Sequence, residues 1–134
     1  MARLLGIALA VLALATACGV RSTKPFTAKG SAGCLRSHGF TKVTTNPNKV
    51  GFVAAFADLG GIVAKSASGN VLTIAFASDP SSTGSTEEAF RSHAPKRLRP
   101  HMSDIMETNR NAVLVWTTSP RSDELAAATG CLKP

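Results

Sequence analysis

The chain has 134 residues, of which 44% are hydrophobic and 17% charged, and its formal net charge is +7. This length suits one compact domain of ~100 residues, and the apolar content excludes disorder over most of the chain. The surplus of Lys and Arg favours anionic neighbours such as phospholipid head groups, acidic wall polymers or nucleic acid.

Residues 1–17 have the organisation of a secretion signal. Arg3 supplies a positive start, and residues 4–17 form a stretch without a charge. As a helix, this stretch would span ~21 Å, which is too short for a hydrocarbon core of ~30 Å. A positive start, a short apolar run and small residues before the cut are typical of a cleavable signal. We therefore expect the protein to be exported.

Two processing events fit the residues before Cys18. Residues 15–17 match the small-x-small pattern of ordinary signal peptidase, which would release a secreted protein. The same residues resemble a bacterial lipobox, although Ala15 stands where Leu or Val is more usual. Exported cysteines tend to pair, and a lipid on Cys18 leaves Cys34 and Cys131 as an even pair. This favours a lipoprotein with acyl chains (palmitate) on Cys18, anchored at the outer face of the cell membrane, over simple secretion.

Residues 18–32 are predicted to be the anchor cysteine followed by a flexible tether. The segment is polar and basic and is interrupted by Pro25 and Gly30. A flexible linker of this length averages roughly 20 Å from end to end. The remaining residues, 33–134, then form a single α+β domain.

The first part of this domain predicts two helices with a strand between them. A short helix over 33–39 ends at Gly39, and residues 41–45 form a brief strand. Asn46 and Pro47 are suited to start a helix. Apolar residues that recur every three or four positions, including Phe52 and Phe56, extend this amphipathic helix to residue 59.

Two β-hairpins follow, each with a helix after it. Strands are predicted at 62–67 and 71–77, and again at 105–108 and 112–118. Ser85 and Glu88 have capping-box spacing, so a helix is expected to begin there and to end before Pro95. Ser119-Pro120 is expected to begin the final helix, which runs to about residue 129.

These elements predict an α+β fold, with an antiparallel sheet built from two hairpins and helices packed on one face. Asn70 and Asn111 lie 41 positions apart, and each precedes an apolar strand, a Ser/Pro turn and a helix. This repeated pattern indicates a possible ββα duplication. The alternative is chance, because a hairpin followed by a helix is a common arrangement.

Cys34 and Cys131 are predicted to form a structural disulfide that closes this domain. They lie near its two ends, in matching Gly-Cys-Leu contexts. A loop of this length contributes roughly 4–5 kcal/mol in the chain-entropy model. A redox-active pair is the alternative, but the chain has no Cys-x-x-Cys motif.

The sequence predicts no catalytic residue, metal site or cofactor. Its three histidines are His38, His93 and His101, and none belongs to a His-Glu-x-x-His motif or a close Cys/His cluster. Asp104 lies three residues after His101, a spacing that is common by chance.

Positive charge is concentrated in residues 91–101. Arg91, Lys96, Arg97 and Arg99 are candidate anion-binding residues, since each basic group near an anionic leaflet contributes ~1 kcal/mol. The alternative is a solvated helix end, where basic side chains complement the helix dipole. Nucleic acid is not expected, because the segment has no interleaved aromatic residues for stacking.

Several short motifs bear on the class of protein to which the chain is similar. Cys34-Leu35, Gly39-Phe40, the strand from Asn111 to Trp116, and Gly130-Cys131-Leu132 together resemble small envelope lipoproteins of high-GC, actinobacterial type. The resemblance implies export and a lipid anchor, and it implies no particular activity.

Two functions are therefore consistent with the sequence. The first is a non-enzymatic binding module at the membrane surface, whose partner is an anionic lipid, a wall polymer or a protein. The second is a small hydrolase-like enzyme with an unrecognised site. A cleft that collects His93, His101 and a carboxylate would favour the enzyme. Exposed apolar residues or a basic ridge would favour binding.

Overall fold

The computed structural model describes residues 23–134, and its centre is a five-stranded antiparallel sheet in the order β1-β2-β3-β5-β4. The predicted signal (1–17) and Cys18 lie outside the described residues. No helix within 23–134 is long and apolar enough to cross a membrane. The strands are β1 (Thr41–Thr44), β2 (Gly61–Lys65), β3 (Val71–Phe76), β4 (Met106–Asn109) and β5 (Ala112–Trp116).

The two predicted hairpins are present and confirm the α+β class. β2 pairs with β3 and β4 with β5, and the two hairpins join through β3 and β5, where Ile74 lies opposite Leu114. Gly69 has φ +90° in the first turn, a conformation that glycine adopts without strain. β1 extends the sheet beside β2.

The helices are α1 (Ala28–Ser37), α2 (Phe52–Ala55), α3 (Thr83–His93), α4 (Met102–Ile105) and α5 (Ser122–Gly130). They cover both faces of the sheet, whereas the sequence predicted one. Ile74 and Phe76 belong to the main core together with residues of α1 and α5. Ala75 lies between them and packs with Val50 and Ala54 on the opposite face. Consecutive strand residues point to opposite faces, so both sides of β3 have to be covered.

Helix α1 begins within the segment that was predicted as a tether. The Thr27 hydroxyl accepts a hydrogen bond from the Gly30 amide at 2.9 Å and caps the helix. Ala28, Ala32 and Leu35 are buried at helical spacing, so residues 28–32 belong to the domain. The prediction of a flexible tether as far as residue 32 is therefore corrected.

The chain before α1 is also fixed to the sheet. Asn111 is fully buried and its side chain bonds both backbone groups of Phe26, at 2.8 and 2.9 Å. The Arg110 guanidinium lies 4.3 Å from the centre of the Phe26 ring. These contacts extend the domain beyond the predicted boundary, to about residue 26.

Helix α2 is shorter than the helix predicted over 47–59. The Asn46 side chain accepts a bond from the Asn48 amide at 2.9 Å, which forms a turn in place of a helical N-cap. Gly51 has φ +87° and interrupts the helical path. Only one turn of helix remains, so Phe52 and Phe56 do not enter the core.

Two other helices also begin at residues that differ from the predicted ones. Asp79 caps a short 3-10 turn at Pro80–Ser82 that continues into α3, so the helix begins before Ser85. Helix α5 begins at Ser122, after Ser119-Pro120, and the Glu124 carboxylate accepts a bond from the Arg121 amide at 3.1 Å.

Cys34 of α1 and Cys131 after α5 lie at disulfide distance, in agreement with the predicted bridge. Their Cα atoms are 5.2 Å apart and their sequence separation is 97 residues. The bridge joins the two helices that cover the first face of the sheet.

Candidate functional site

A pocket of about 380 Å³ opens on the second face of the sheet, between α2, α3 and the segment that leads into β4. We call it the sheet-face pocket. Thr73 and Val115, directly paired on β3 and β5, contribute to its wall. The other lining residues are mostly apolar and include Val50, Val53, Phe90, Ala94, Leu98, Met102 and Ile105.

Helices α2 and α3 meet on this face, and the pocket lies beside their contact. Val50 and Ala54 pack on the sheet around Ala75, while Phe90 approaches it from α3. Pro95 comes soon after α3, and the chain then returns to the sheet through Met102 and Ile105, both of which are buried. The volume lies within the ~300–1,000 Å³ of small-ligand sites.

Two exposed phenylalanines lie side by side on the surface, and one of them, Phe52, lines the pocket. Phe52 is 62% exposed and Phe56 is 76% exposed, and their ring centroids are 5.0 Å apart. Phe52 also stacks on His93 at 4.8 Å, and the His93 Nδ1 lies 2.9 Å from the carbonyl of Ala89. Exposed aromatic pairs beside an apolar pocket are typical of a binding surface.

Two of the predicted anion-binding residues are engaged within the protein. Arg91 forms an ion pair with Glu87 one helical turn earlier, at 4.0 Å. Arg99 donates to the carbonyls of Ala94 at 3.0 Å and Ser92 at 3.2 Å. Arg99 thus satisfies carbonyl groups at the end of α3, which is the helix-end role given above as the alternative.

The other two, Lys96 and Arg97, have no such partner. The Leu98 amide donates to the Pro95 carbonyl at 2.8 Å, which places Lys96 and Arg97 at the centre of a tight turn. Both side chains are exposed, and within the described residues neither forms a hydrogen bond or an ion pair. Pro95 and Leu98 line the sheet-face pocket, so the turn that carries these two exposed charges begins and ends at its wall.

The histidines lie at separate places. His93 lines the sheet-face pocket, whereas His101 and Asp104 line another pocket of about 240 Å³. His38 lies beside the cysteine pair, with Nδ1 3.5 Å from the Cys34 sulfur and 3.4 Å from the Cys131 sulfur, so the expectation that no histidine belongs to a close Cys/His cluster is corrected.

Cys34, His38 and Cys131 offer three potential metal-ligand atoms within 4.8 Å of one another. The two sulfur atoms are bonded to each other, so neither is a thiolate, the form in which cysteine binds metals. His38 Nδ1 also lies 3.0 Å from the Cys34 carbonyl, as expected for a hydrogen bond that fixes the ring against α1. In this oxidised form the group is a structural junction between α1 and the end of α5.

Glu124 is a buried carboxylate with a structural role. Its Oε1 accepts bonds from Ser66 at 2.7 Å and from Ser68, and its Oε2 accepts one from the Arg121 amide. These bonds, led by those from the two hydroxyls, lower its pKa from 4.5 to about 2. The carboxylate therefore holds the start of α5 to the β2–β3 turn.

Sequence reasoning identified the basic segment but missed the pocket beside it. Phe52 and Phe56 have the spacing of a helix core face, and their exposure follows only from the early end of α2. Phe90 and Leu98 carry no motif at all. Ala94, Pro95 and Leu98 flank Lys96 and Arg97 in the chain, but isolated apolar residues of this kind do not indicate a pocket.

No protein-family model, curated protein or solved structure matches the chain.

Proposed function

We propose that the protein is a non-enzymatic binding module of the cell envelope, anchored through Cys18 at the outer face of the membrane. In this proposal the sheet-face pocket takes the apolar part of a ligand. The observation that carries it is the pocket itself, which is open to solvent and lined almost entirely by apolar side chains.

The composition of the lining supports binding over catalysis. His93 is the one titratable side chain among the described residues that line the pocket. General acid–base chemistry usually pairs such a group with a second polar group that orients it or shares the proton. His101 and Asp104, the nearest such pair along the chain, line a different pocket. The hydrolase-like alternative therefore gains no support from the described residues.

The mouth of the pocket supports a position at the membrane surface. Phe52 lines the pocket, and its ring and that of its neighbour Phe56 are exposed. The turn with Lys96 and Arg97 connects two other lining residues, Pro95 and Leu98. Aromatic side chains insert at the headgroup boundary, and each basic residue adds ~1 kcal/mol near an anionic leaflet.

The pocket is tested with the neutral fluorescent probe N-phenyl-1-naphthylamine. We expect saturable binding to the purified protein, and at least a tenfold loss of affinity in Thr73→Phe, which fills the pocket wall. Phe52→Ser, at an exposed position, should also weaken binding without disturbing the core. Thr45→Phe is the matched control, because Thr45 is exposed and lies outside the pocket.

The proposal fails if the wild type shows no saturable binding. It also fails if both Thr73→Phe and Phe52→Ser remain folded and bind like the control. Fluorescence of Trp116, the one tryptophan in the chain, reports folding, because that side chain is buried on the opposite face.

The position at the membrane is tested with vesicles. Anionic vesicles should sediment the protein at low salt, and both Phe56→Ser and the double variant Lys96→Glu/Arg97→Glu should reduce this association. Attraction should weaken as salt rises to physiological strength. If both variants associate with anionic vesicles as strongly as the wild type does, the position at the membrane is refuted.

The anchor is tested by the intact mass of the protein from its native envelope. We expect a chain that starts at Cys18 and carries added lipid mass. A chain that starts at Cys18 with no added mass would leave a secreted binding protein.

A further inference from the structure

The charges around the sheet-face pocket are distributed unequally between its wall and its rim. The lining contains no Lys, Arg, Asp or Glu among the described residues. Lys96 and Arg97 lie in sequence between Pro95 and Leu98, two lining residues that are held together by a 2.8 Å hydrogen bond. The turn that borders the apolar volume therefore carries two exposed cationic residues.

The turn that carries these charges is fixed relative to the pocket. Arg99 donates two hydrogen bonds to carbonyls at the end of α3, and this ties the far side of the turn to the helix. Leu98 is half-buried in the pocket wall. Lys96 and Arg97 thus occupy a defined position while their side chains remain free to meet a ligand.

From this arrangement we infer that the ligand is a single-chain amphiphile with an anionic head group. This inference rests on the proposed function, since it assigns the chemistry of the ligand in the same pocket. The chain lies in the apolar volume, and a carboxylate or phosphate contacts Lys96 and Arg97. Arg binds such groups through two parallel hydrogen bonds, and Lys adds a second positive charge.

The size of the pocket limits the ligand to one short chain. The volume of about 380 Å³ corresponds to roughly a dozen water molecules at ~30 Å³ each. A methylene group is close to a water molecule in size, so one chain of about ten carbons fills the pocket. A single chain therefore matches this volume better than the two acyl chains of an intact phospholipid.

The inference is tested with four probes that share a ten-carbon chain: decanoate, decyl phosphate, decanol and decyltrimethylammonium. Each is used below its micelle-forming concentration to displace N-phenyl-1-naphthylamine from the purified protein. We expect decanoate, decyl phosphate or both to bind at least tenfold more tightly than decanol and decyltrimethylammonium. The ratio between the first two shows which acid group is preferred.

Charge reversal locates the head group. In Lys96→Glu/Arg97→Glu the preference for anions should disappear, while decanol should bind as it does to the wild type. Lys29→Glu/Lys133→Glu is the matched control: it changes the net charge equally at two exposed positions outside the pocket. The control should keep the preference for anions.

The outcomes separate this inference from the proposed function. If all four compounds bind equally well, the pocket is a binding site but the anionic head group is wrong. If the preference for anions survives charge reversal at Lys96 and Arg97, their assignment is wrong. If neither the fluorescent probe nor any of the four compounds binds, the proposed function itself is refuted.

Discussion

Gly61 allows α2 to pack closely against the sheet, and its replacement by alanine tests how this packing shapes the pocket. A Cβ atom at Gly61 would lie 2.5 Å from both the Cβ and the carbonyl oxygen of Ala54. Neither atom belongs to a flexible side chain, so the collision cannot be relieved by a change of rotamer. Since Ala54 lies on α2, the whole helical turn has to move.

The structure sets the size of this effect. Carbon atoms in favourable contact lie ~3.5–4.0 Å apart, so α2 has to retreat by about 1 Å. Overpacking of this kind costs about 1–3 kcal/mol, and alanine in place of glycine in a strand offsets about 0.5–1 kcal/mol. We expect a net loss of about 1–2 kcal/mol, or about 5–10 °C in melting temperature.

The measurement is urea unfolding followed by Trp116 fluorescence, together with binding of N-phenyl-1-naphthylamine. Gly84→Ala is the matched control, because nothing lies within 4 Å of a Cβ at this position in α3. The control should be as stable as the wild type, or more stable by up to about 1 kcal/mol. Gly61→Ala should also bind the probe more weakly, since α2 carries Phe52 and Val53 to the pocket.

The reasoning is refuted if Gly61→Ala is as stable as Gly84→Ala and binds the probe with wild-type affinity. In that case α2 would not be positioned by close contact with β2. A loss of stability without a change in probe binding would uphold the contact but show that the pocket tolerates a shift of α2.

Three further predictions concern stability. Reduction of the Cys34–Cys131 bridge should lower the free energy of unfolding by about 4–5 kcal/mol, because the bridge spans 97 residues. The measurement is urea unfolding with and without reductant. A change below about 1 kcal/mol would contradict a stabilising role of the bridge. Glu124→Gln should cost about 1.5–3 kcal/mol at pH 7. Because the folded pKa of Glu124 is lowered from 4.5 to about 2, its contribution to stability is complete above pH 4.5 and is lost as the pH falls toward 2. The urea midpoints of variant and wild type should therefore converge over that range. A constant difference between the two midpoints would be incompatible with ionisation of Glu124. Trp116→Phe should cost less than about 1.5 kcal/mol by circular dichroism, because the indole N–H is buried and has no hydrogen-bond partner among the described residues. A loss near the ~3–5 kcal/mol of a Trp→Ala change would contradict this expectation.

The sequence by itself determined the elements whose pattern is local. Strands β2, β3 and β5 follow from short runs of apolar residues bounded by turns at Gly69-Asn70 and Arg110-Asn111. Their pairing follows because a short turn can only join antiparallel neighbours. The partnership of Cys34 and Cys131 followed from the count of cysteines. The basic segment was visible as a run of charge.

Only the tertiary structure decided what surrounds each of these elements. Helical spacing placed Phe52 and Phe56 in a core, but the positive φ of Gly51 shortens α2 and leaves both rings exposed. Charge alone made Arg99 equivalent to Arg97, but the end of α3 brings two carbonyls to Arg99 and none to Arg97. The pocket is a gap between elements, and a gap depends on how distant segments pack, which the periodicity of one segment cannot specify.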